Sequence, residues 1–257
     1  MNTHRARKRF GQHFLTRDDI VTDIVAAIAP SAGQTLVEIG PGRGALTIPL
    51  ARTGVDLHAI EFDRDLFQDL RRRFSGAANV TLHQADALEF DFAAIGSSLR
   101  IVGNLPYNIS TPLLFHLIDA RDAIADMHFM LQKEVVERIC AEPGSKSFGR
   151  LTIMLGCYLE PVSLFDVPPD AFSPPPRVNS AVIRLRPRGE DGPAVDDHDA
   201  LSKMVVQAFT KRRKTLRNAL KGIASDELME SCGIDPGKRP EQIATVDWVR
   251  LSNCISS

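Results

Sequence analysis

The sequence predicts an α/β fold: a mostly parallel, doubly wound sheet with helices on both faces, followed by a small all-helical domain. Three observations carry this. Short apolar runs alternate with helical stretches from Thr35 to Leu185, the pattern of βαβ units. The first of these runs ends in Gly40-Pro-Gly-Arg-Gly44, a glycine-rich turn opening a helix. Beyond Arg188-Gly-Glu-Asp-Gly-Pro193, a polar Gly/Pro segment, the pattern is helical only. The domain boundary is therefore placed there, giving domains of residues 1–187 and 188–257.

The elements follow in order. Thr16-Arg-Asp-Asp19 caps an amphipathic helix that runs to about Ala29 and stops at Pro30. Thr35 to Ile39 is a buried-strand run, and a helix follows the glycines to about Arg52. Asp56 to Ile60 reads as a second strand and Asp63 to Phe74 as a charged helix. Val80 to His83 is a third strand, ending in Gln84-Ala-Asp86. The fourth, Leu99 to Val102, ends abruptly at Gly103. Ser110-Thr-Pro112 starts a helix, with proline near its first turn. Met127 to Leu131 is a fifth strand; helices follow at Lys133 to Ala141 and Gly149 to Cys157. Strands at Val162 to Val167 and Ala181 to Leu185 flank the proline-rich 168–176. Helices near 199–209, 214–221, 226–232 and 246–253 complete the chain.

Composition narrows the function classes. With 44% hydrophobic and 25% charged residues, the 257-residue chain suits a packed globule. No apolar run approaches the ~18–20 residues of a membrane span, and no apolar region follows the basic N-terminus, so it does not read as a secretory signal. The four cysteines form no CxxC pair, which argues against a zinc site and fits a reducing cytoplasm. The net charge is −1, but the charge is segregated. Arg5, Arg7, Lys8, Arg9 and Arg17 precede the first acid, and Lys211-Arg212-Arg213-Lys214 forms a second basic run. Such patches grip phosphate backbones; either one alone also fits a solvated helix face.

The chemistry concentrates where strands end. Asn104, Leu105, Pro106 and Tyr107 follow the fourth strand, and ligands bind outside the carboxyl ends of strands in such sheets. Asn104 offers a neutral acceptor oxygen, Pro106 lacks an N–H and fixes the turn, and Tyr107 offers a flat face. Together these can hold a flipped-out base by its amino group and stack on its ring, although the same four residues fit an ordinary Asn-Pro turn. On the other side, Gly40 lets the backbone approach a ligand. Glu61, ending the second strand, can accept both ribose hydroxyls. Asp86 can accept from an adenine amino group. The glycine turn also fits a nicotinamide dinucleotide. The extra acid Glu38 and the polar Asp86 and Asn104 favour the sulfonium cation of S-adenosylmethionine.

These residues closely resemble the bacterial small-subunit rRNA adenine dimethyltransferases, the kasugamycin-sensitivity family. The resemblance rests on RKRFGQHFL (Arg7–Leu15), VEIGPGRGALT (Val37–Thr47), IEFDRDL (Ile60–Leu66), QADAL (Gln84–Leu88), GNLPYNISTPL (Gly103–Leu113), FMLQKEV (Phe129–Val135), FSPPPRVNSAV (Phe172–Val182) and RRKTLRN (Arg212–Asn218). It covers nearly the whole chain, in order. It implies a Rossmann-like class I S-adenosylmethionine-dependent methyltransferase domain with a small C-terminal helical domain. It implies dimethylation of two adjacent adenosines in the 3'-terminal stem-loop of 16S rRNA, on an immature small (30S) ribosomal subunit, by a cytoplasmic monomer without metal. It further implies cofactor contacts from His13, Leu15, Gly40, Glu61, Asp86 and Asn104, and a second aromatic at the base, Phe172. Some relatives carry Asn where this chain has His13. Arg7, Lys8, Arg9, Lys211, Arg212 and Arg213 are the expected rRNA contacts. The alternatives are a 23S rRNA adenine methyltransferase of the macrolide-resistance type and a non-catalytic assembly factor on the same fold.

Overall fold

The structure, a computed structural model, describes residues 13–106, 109–189 and 192–256. The candidate residues Arg7, Lys8, Arg9 and Tyr107 lie outside the described residues. In chain order the elements are β1 (Phe14–Leu15), α1 (Asp18–Ile28), β2 (Thr35–Ile39), α2 (Thr47–Ala51), β3 (Asp56–Ile60), α3 (Arg64–Arg73), β4 (Val80–His83), β5 (Leu99–Asn104), α4 (Ser110–Asp119), β6 (Ile124–Gln132), α5 (Lys133–Ile139), α6 (Arg150–Gly156), β7 (Leu159–Val167), β8 (Phe172–Ser173), β9 (Ser180–Pro187), α7 (His198–Thr210), α8 (Leu216–Ala219), α9 (Asp226–Ser231) and α10 (Thr245–Ser256).

Seven strands form one sheet in the order β4-β3-β2-β5-β6-β9-β7. The pairs from β4 to β6 are parallel, as βαβ crossovers demand, while β9 pairs antiparallel with β6. The order reverses direction between β2 and β5. That switch point leaves a crevice at the carboxyl ends of the two strands. Helix α1 covers one face of the sheet. Its buried Ile20, Ile24 and Ile28 repeat every four residues, so they form one stripe, packed with Val102, Met130 and Val182 of the sheet. Fully burying each such side chain contributes about 1.5–3 kcal/mol.

Strand β5 does not stop at Gly103. It continues to Asn104, with Gly103 opposite Phe129 and Asn104 opposite Met130. A Cβ at Gly103 would sit 2.5 Å from the Ile39 carbonyl oxygen. The missing side chain thus serves a close approach of β5 to the end of β2 rather than a strand stop. The pairing of β1 with β8, Leu15 opposite Phe172 and Phe14 opposite Ser173, has no counterpart in the sequence reading, because two residues show no period.

Two compact units are present. The first takes the chain to Val136 together with Val162–Pro187; the second comprises Glu137–Pro161 and the chain from Arg188 onward. The segment Glu137–Pro161 therefore departs from the sequence-based division at 187/188. The reason is α6, which carries the buried Ile153, Met154 and Leu155 and lies against α7 and α10 of the helical unit. Trp248 on α10, fully buried, lies 6.1 Å from the Phe209 ring at the end of α7.

Candidate cofactor and base site

The carboxyl ends of β2, β3 and β5 surround a cavity of about 300 Å³ in the first unit. All six residues expected to contact the cofactor line it, His13, Leu15, Gly40, Glu61, Asp86 and Asn104, joined by Leu105 and Pro106. Gly42, in the turn after β2, has φ near +58°, and a Cβ there would meet the Phe14 ring at 3.3 Å. Glycine therefore lets this turn lie under the β1 segment that forms one wall. Arg43 stands 4.4 Å from the centroid of the same ring.

Glu61 is buried and fixed by the backbone. Its Oε1 accepts from the Asp63 N–H at 2.8 Å and its Oε2 from the Gly42 N–H at 3.1 Å. Burial pushes its carboxyl above the ordinary carboxylate range, and those two N–H groups pull it back. Each carboxylate oxygen keeps a lone pair for a further donor such as a ribose hydroxyl. Asp86 Oδ1 accepts from the Leu88 N–H at 2.9 Å, which leaves Oδ2 for a ligand.

Glu38 is the least comfortable group in the wall. Burial pushes its carboxyl up to about 7; Thr47 pulls it down, and the charge of Glu61 raises it further. Its Oε2 is buried with no hydrogen-bond partner. A buried acceptor left unmet costs stability unless a ligand supplies a donor or a cation. The cationic sulfonium and amino groups of S-adenosylmethionine are such a ligand. Cavity size, acid count and the orphaned oxygen together fit that cofactor.

Asn104 donates its Nδ2–H to the His13 carbonyl at 3.1 Å. This fixes the amide, so that Oδ1 is the side-chain acceptor left at the cavity wall. Leu105 is buried, its N–H donating to the Met130 carbonyl at 3.2 Å, and the Pro106 carbonyl accepts from Ile109 at 3.1 Å. The His13 carbonyl is held in turn. The pairing of β1 with β8 and the bond from Thr16 N–H to Ala171 O at 2.8 Å anchor that segment to the 168–176 loop. His13 contributes both ways, since its Nδ1 lies 2.7 Å from the Pro174 carbonyl.

Not every expected residue reaches the cavity. Phe172, expected at the target base, is 4% exposed, packs in the core cluster with Leu15 and Ile20, and is not among the residues lining this cavity. Its β8 position supports Leu15, which is. Arg212 is turned to its own unit, donating to the Ser145 and Lys146 carbonyls at 3.4 and 2.8 Å and lying 3.6 Å from Glu241. Lys211, Arg213 and Lys214 stay exposed. Among the lining residues that the sequence did not single out are Phe14 and Phe62. Phe62 is 58% exposed, and its only signal was an apolar residue directly after the acid that ends β3.

With this geometry in place, comparison with known proteins is decisive. Residues 3–257 match the sequence profile of the ribosomal RNA adenine dimethylases. The chain belongs to the ribosomal RNA adenine dimethylase family. Among its relatives is a ribosomal RNA small subunit methyltransferase A of Alcanivorax borkumensis, 52% identical over 256 residues, covering 98% of this chain and 91% of the relative. Another, of Thiobacillus denitrificans, is 54% identical and covers 99% of each chain. The fold of the family is seen in a dimethyladenosine transferase from Plasmodium falciparum, with a TM-score of 0.80, 23% identity, and 93% and 96% of the two chains covered. A 23S rRNA methyltransferase, ErmE, shares the fold at a TM-score of 0.75 and 24% identity, covering 95% and 100%. This dimethylase is thus an S-adenosylmethionine-dependent rRNA methyltransferase. Among its described residues no helix is long and apolar enough to cross a membrane.

Proposed function

We propose that this rRNA adenine dimethylase methylates the N6 amino groups of two adjacent adenosines in the 3'-terminal stem-loop of 16S rRNA. Its substrate in this reading is the immature small ribosomal subunit in the cytoplasm, and it works as a monomer. The observation that carries the reading is the Asn104 amide, tied to the His13 carbonyl so that Oδ1 remains to accept from a base amino group.

Bound S-adenosylmethionine supplies an electrophilic methyl group on a sulfonium sulfur. The protein must make the adenine amino nitrogen a better nucleophile, because its lone pair is delocalised into the ring. Asn104 Oδ1 and the Leu105 carbonyl accept from the two amino hydrogens and favour a pyramidal nitrogen. Positive charge develops on that nitrogen during transfer, so the same acceptors stabilise the transition state. A neutral amide suffices, because the methylated ammonium sheds its proton easily. Tyr107 stacks on the flipped base. Glu61 and Asp86 hold the ribose and adenine ends of the cofactor, and Glu38 faces its cationic end. His13, Leu15 and Gly40 complete the wall, and Phe172 supports it through Leu15. Arg7, Lys8, Arg9, Lys211 and Arg213 grip rRNA backbone, while Arg212 holds the 145–146 carbonyls.

The test is mass-spectrometric mapping of methylated adenosines on unmethylated subunits treated with the parent and with Asn104→Ala. Dimethylation confined to the small-subunit 3' stem-loop, and lost in the variant, is the expected result. Methylation of large-subunit rRNA instead, or none with either protein, overturns the reading.

A further inference from the structure

A second cavity in the first unit, about 590 Å³ in volume, opens at the opposite end of the central strands, and nothing in the methyl-transfer chemistry uses it. It lies where β5 and β6 begin and β9 ends. The register places its charged residues: Arg100 is opposite Asp126, and His128 is opposite Arg184. Arg186, two residues along β9, shares their face.

Arg100 is fully engaged. It holds Asp126 through Nε at 3.0 Å and Nη2 at 2.9 Å, Gln34 Oε1 at 3.0 Å, and the Ile28 and Ala29 carbonyls at 2.6 and 3.3 Å. Asp126 is thereby occupied, and His128 Nδ1 remains 3.7 Å from its Oδ1. Two further arginines and the histidine complete the basic lining. Arg184 has a buried Nε without a hydrogen-bond partner, and Arg186 is exposed. The His128 side chain is 2% exposed, and neither ring nitrogen has a partner. Burial pushes this imidazole down to about 4; Asp126 opposes that, and the three arginines reinforce it. It is therefore neutral at physiological pH, with one N–H to donate. Among the described residues the only non-glycine positive φ values are at Ala29 and Ser98, +46° and +56°, and both residues line this cavity. Strained backbone beside orphaned buried donors marks a place shaped by something other than packing.

We propose that this cavity is a phosphate-binding site, with Arg184 and Arg186 neutralising the anion and His128 donating an N–H to it. A guanidinium fork matches a tetrahedral oxyanion bidentately, and both buried donors find the acceptor the protein does not provide. The phosphate is either a phosphodiester of the rRNA backbone or free inorganic phosphate. Arg100 and Asn104 are four residue steps apart along β5, so the site lies roughly 13 Å from the catalytic end. It is distinct from the cofactor cavity.

Inorganic phosphate is titrated into the full-length protein at constant ionic strength, following the His128 imidazole resonances and the heat of binding. Phosphate should move those resonances and raise the pH at which His128 titrates, since a nearby anion favours the charged ring. Arg184→Gln with Arg186→Gln should weaken phosphate binding at least tenfold and leave S-adenosylmethionine affinity unchanged. Arg186→Gln alone changes only an exposed side chain; it should still weaken phosphate binding measurably, so the test survives misfolding of the double variant. The second probe is the small subunit itself. A backbone phosphodiester as ligand predicts a salt slope for subunit binding that falls by about 0.7–0.9 per lost contact in the variants. A slope that stays put, with phosphate binding lost, assigns the site to free phosphate. His128 resonances indifferent to both probes, or equal phosphate affinity in parent and variants, would overturn the proposal.

Discussion

Replacing Glu38 by Gln should make the cofactor-free protein more stable above pH 7 and leave it unchanged near pH 4.5. The carboxyl is fully buried and sits at about 7, against an ordinary value of 4.5. Between those pH values the folded chain holds a proton that the unfolded chain has released, so the group's contribution to stability falls as pH rises. The difference of about 2.5 units, at 1.36 kcal/mol per unit, amounts to about 3 kcal/mol of destabilisation once pH exceeds 7. Gln keeps the shape and cannot ionise. His128 acts oppositely. Its folded value of about 4 is below the ordinary 6.5, so its contribution is lost as pH falls through that window. The two slopes cancel in part in the parent, and only the difference between parent and variant isolates Glu38. Urea unfolding at steps from pH 4.5 to 8.5 gives that difference. It should climb by about 3 kcal/mol across the window. A difference that is flat with pH would show that Glu38 is ionised at no such cost, and the account of the orphaned oxygen would be wrong. The same variant should bind S-adenosylmethionine more weakly by calorimetry, because the acceptor facing its cationic end has lost its charge.

Four other outcomes follow from the geometry. Asn104→Ala should slow single-turnover methyl transfer by on the order of 10²–10³-fold at saturating cofactor, read by rapid quench; transfer at the parent rate would rule out the amide mechanism. Glu61→Ala should weaken cofactor binding by about 1.5–3 kcal/mol per lost charge-assisted hydrogen bond, measured by calorimetry; unchanged affinity would remove Glu61 from the site. Gly103→Ala forces a Cβ to 2.5 Å from the Ile39 carbonyl and should cost about 1–3 kcal/mol in urea unfolding. Neutralising Lys211, Arg213 and Lys214, which are exposed, should lower the salt slope of subunit binding by about 0.7–0.9 per lost phosphate contact. It should do so without touching cofactor affinity, whereas Arg212→Ala should also lower stability through the 145–146 carbonyls.

Where the sequence was legible, local signals sufficed. The runs Thr35–Ile39, Asp56–Ile60 and Val80–His83 have the strand bounds expected of them; the first two are largely buried, and turn residues punctuate all three. The glycine turn after β2 and the acids after β3 and β4 could be placed at one end of the sheet because parallel strands present all carboxyl ends together. What was not legible depends on partners distant in sequence. Nothing local marks Phe14–Leu15 as a strand; its partner is Phe172–Ser173. An aromatic beside three prolines does not announce its cross-strand neighbour, and it is the pairing with Leu15 that buries Phe172. Arg212 looked identical to its neighbours in the basic run until the 145–146 carbonyls met it. The direction of β9 and the pairing of His128 with Arg184 are matters of register, which periodicity does not encode.

The bond from Thr16 to Ala171 spans 155 residues of chain. During synthesis at about 5–20 residues per second, the segment that holds the Asn104 amide waits roughly 8 to 30 s for its anchor to be made. The sheet waits as well, since β9 lies between β6 and β7 and is translated after both. A nascent chain that has emerged only as far as β6 has the glycine turn and its acids but no anchored amide. In this order of manufacture the glycine turn and its acids come together first, and the β1 wall, with competence to transfer a methyl group, comes after nearly the whole first unit has left the ribosome.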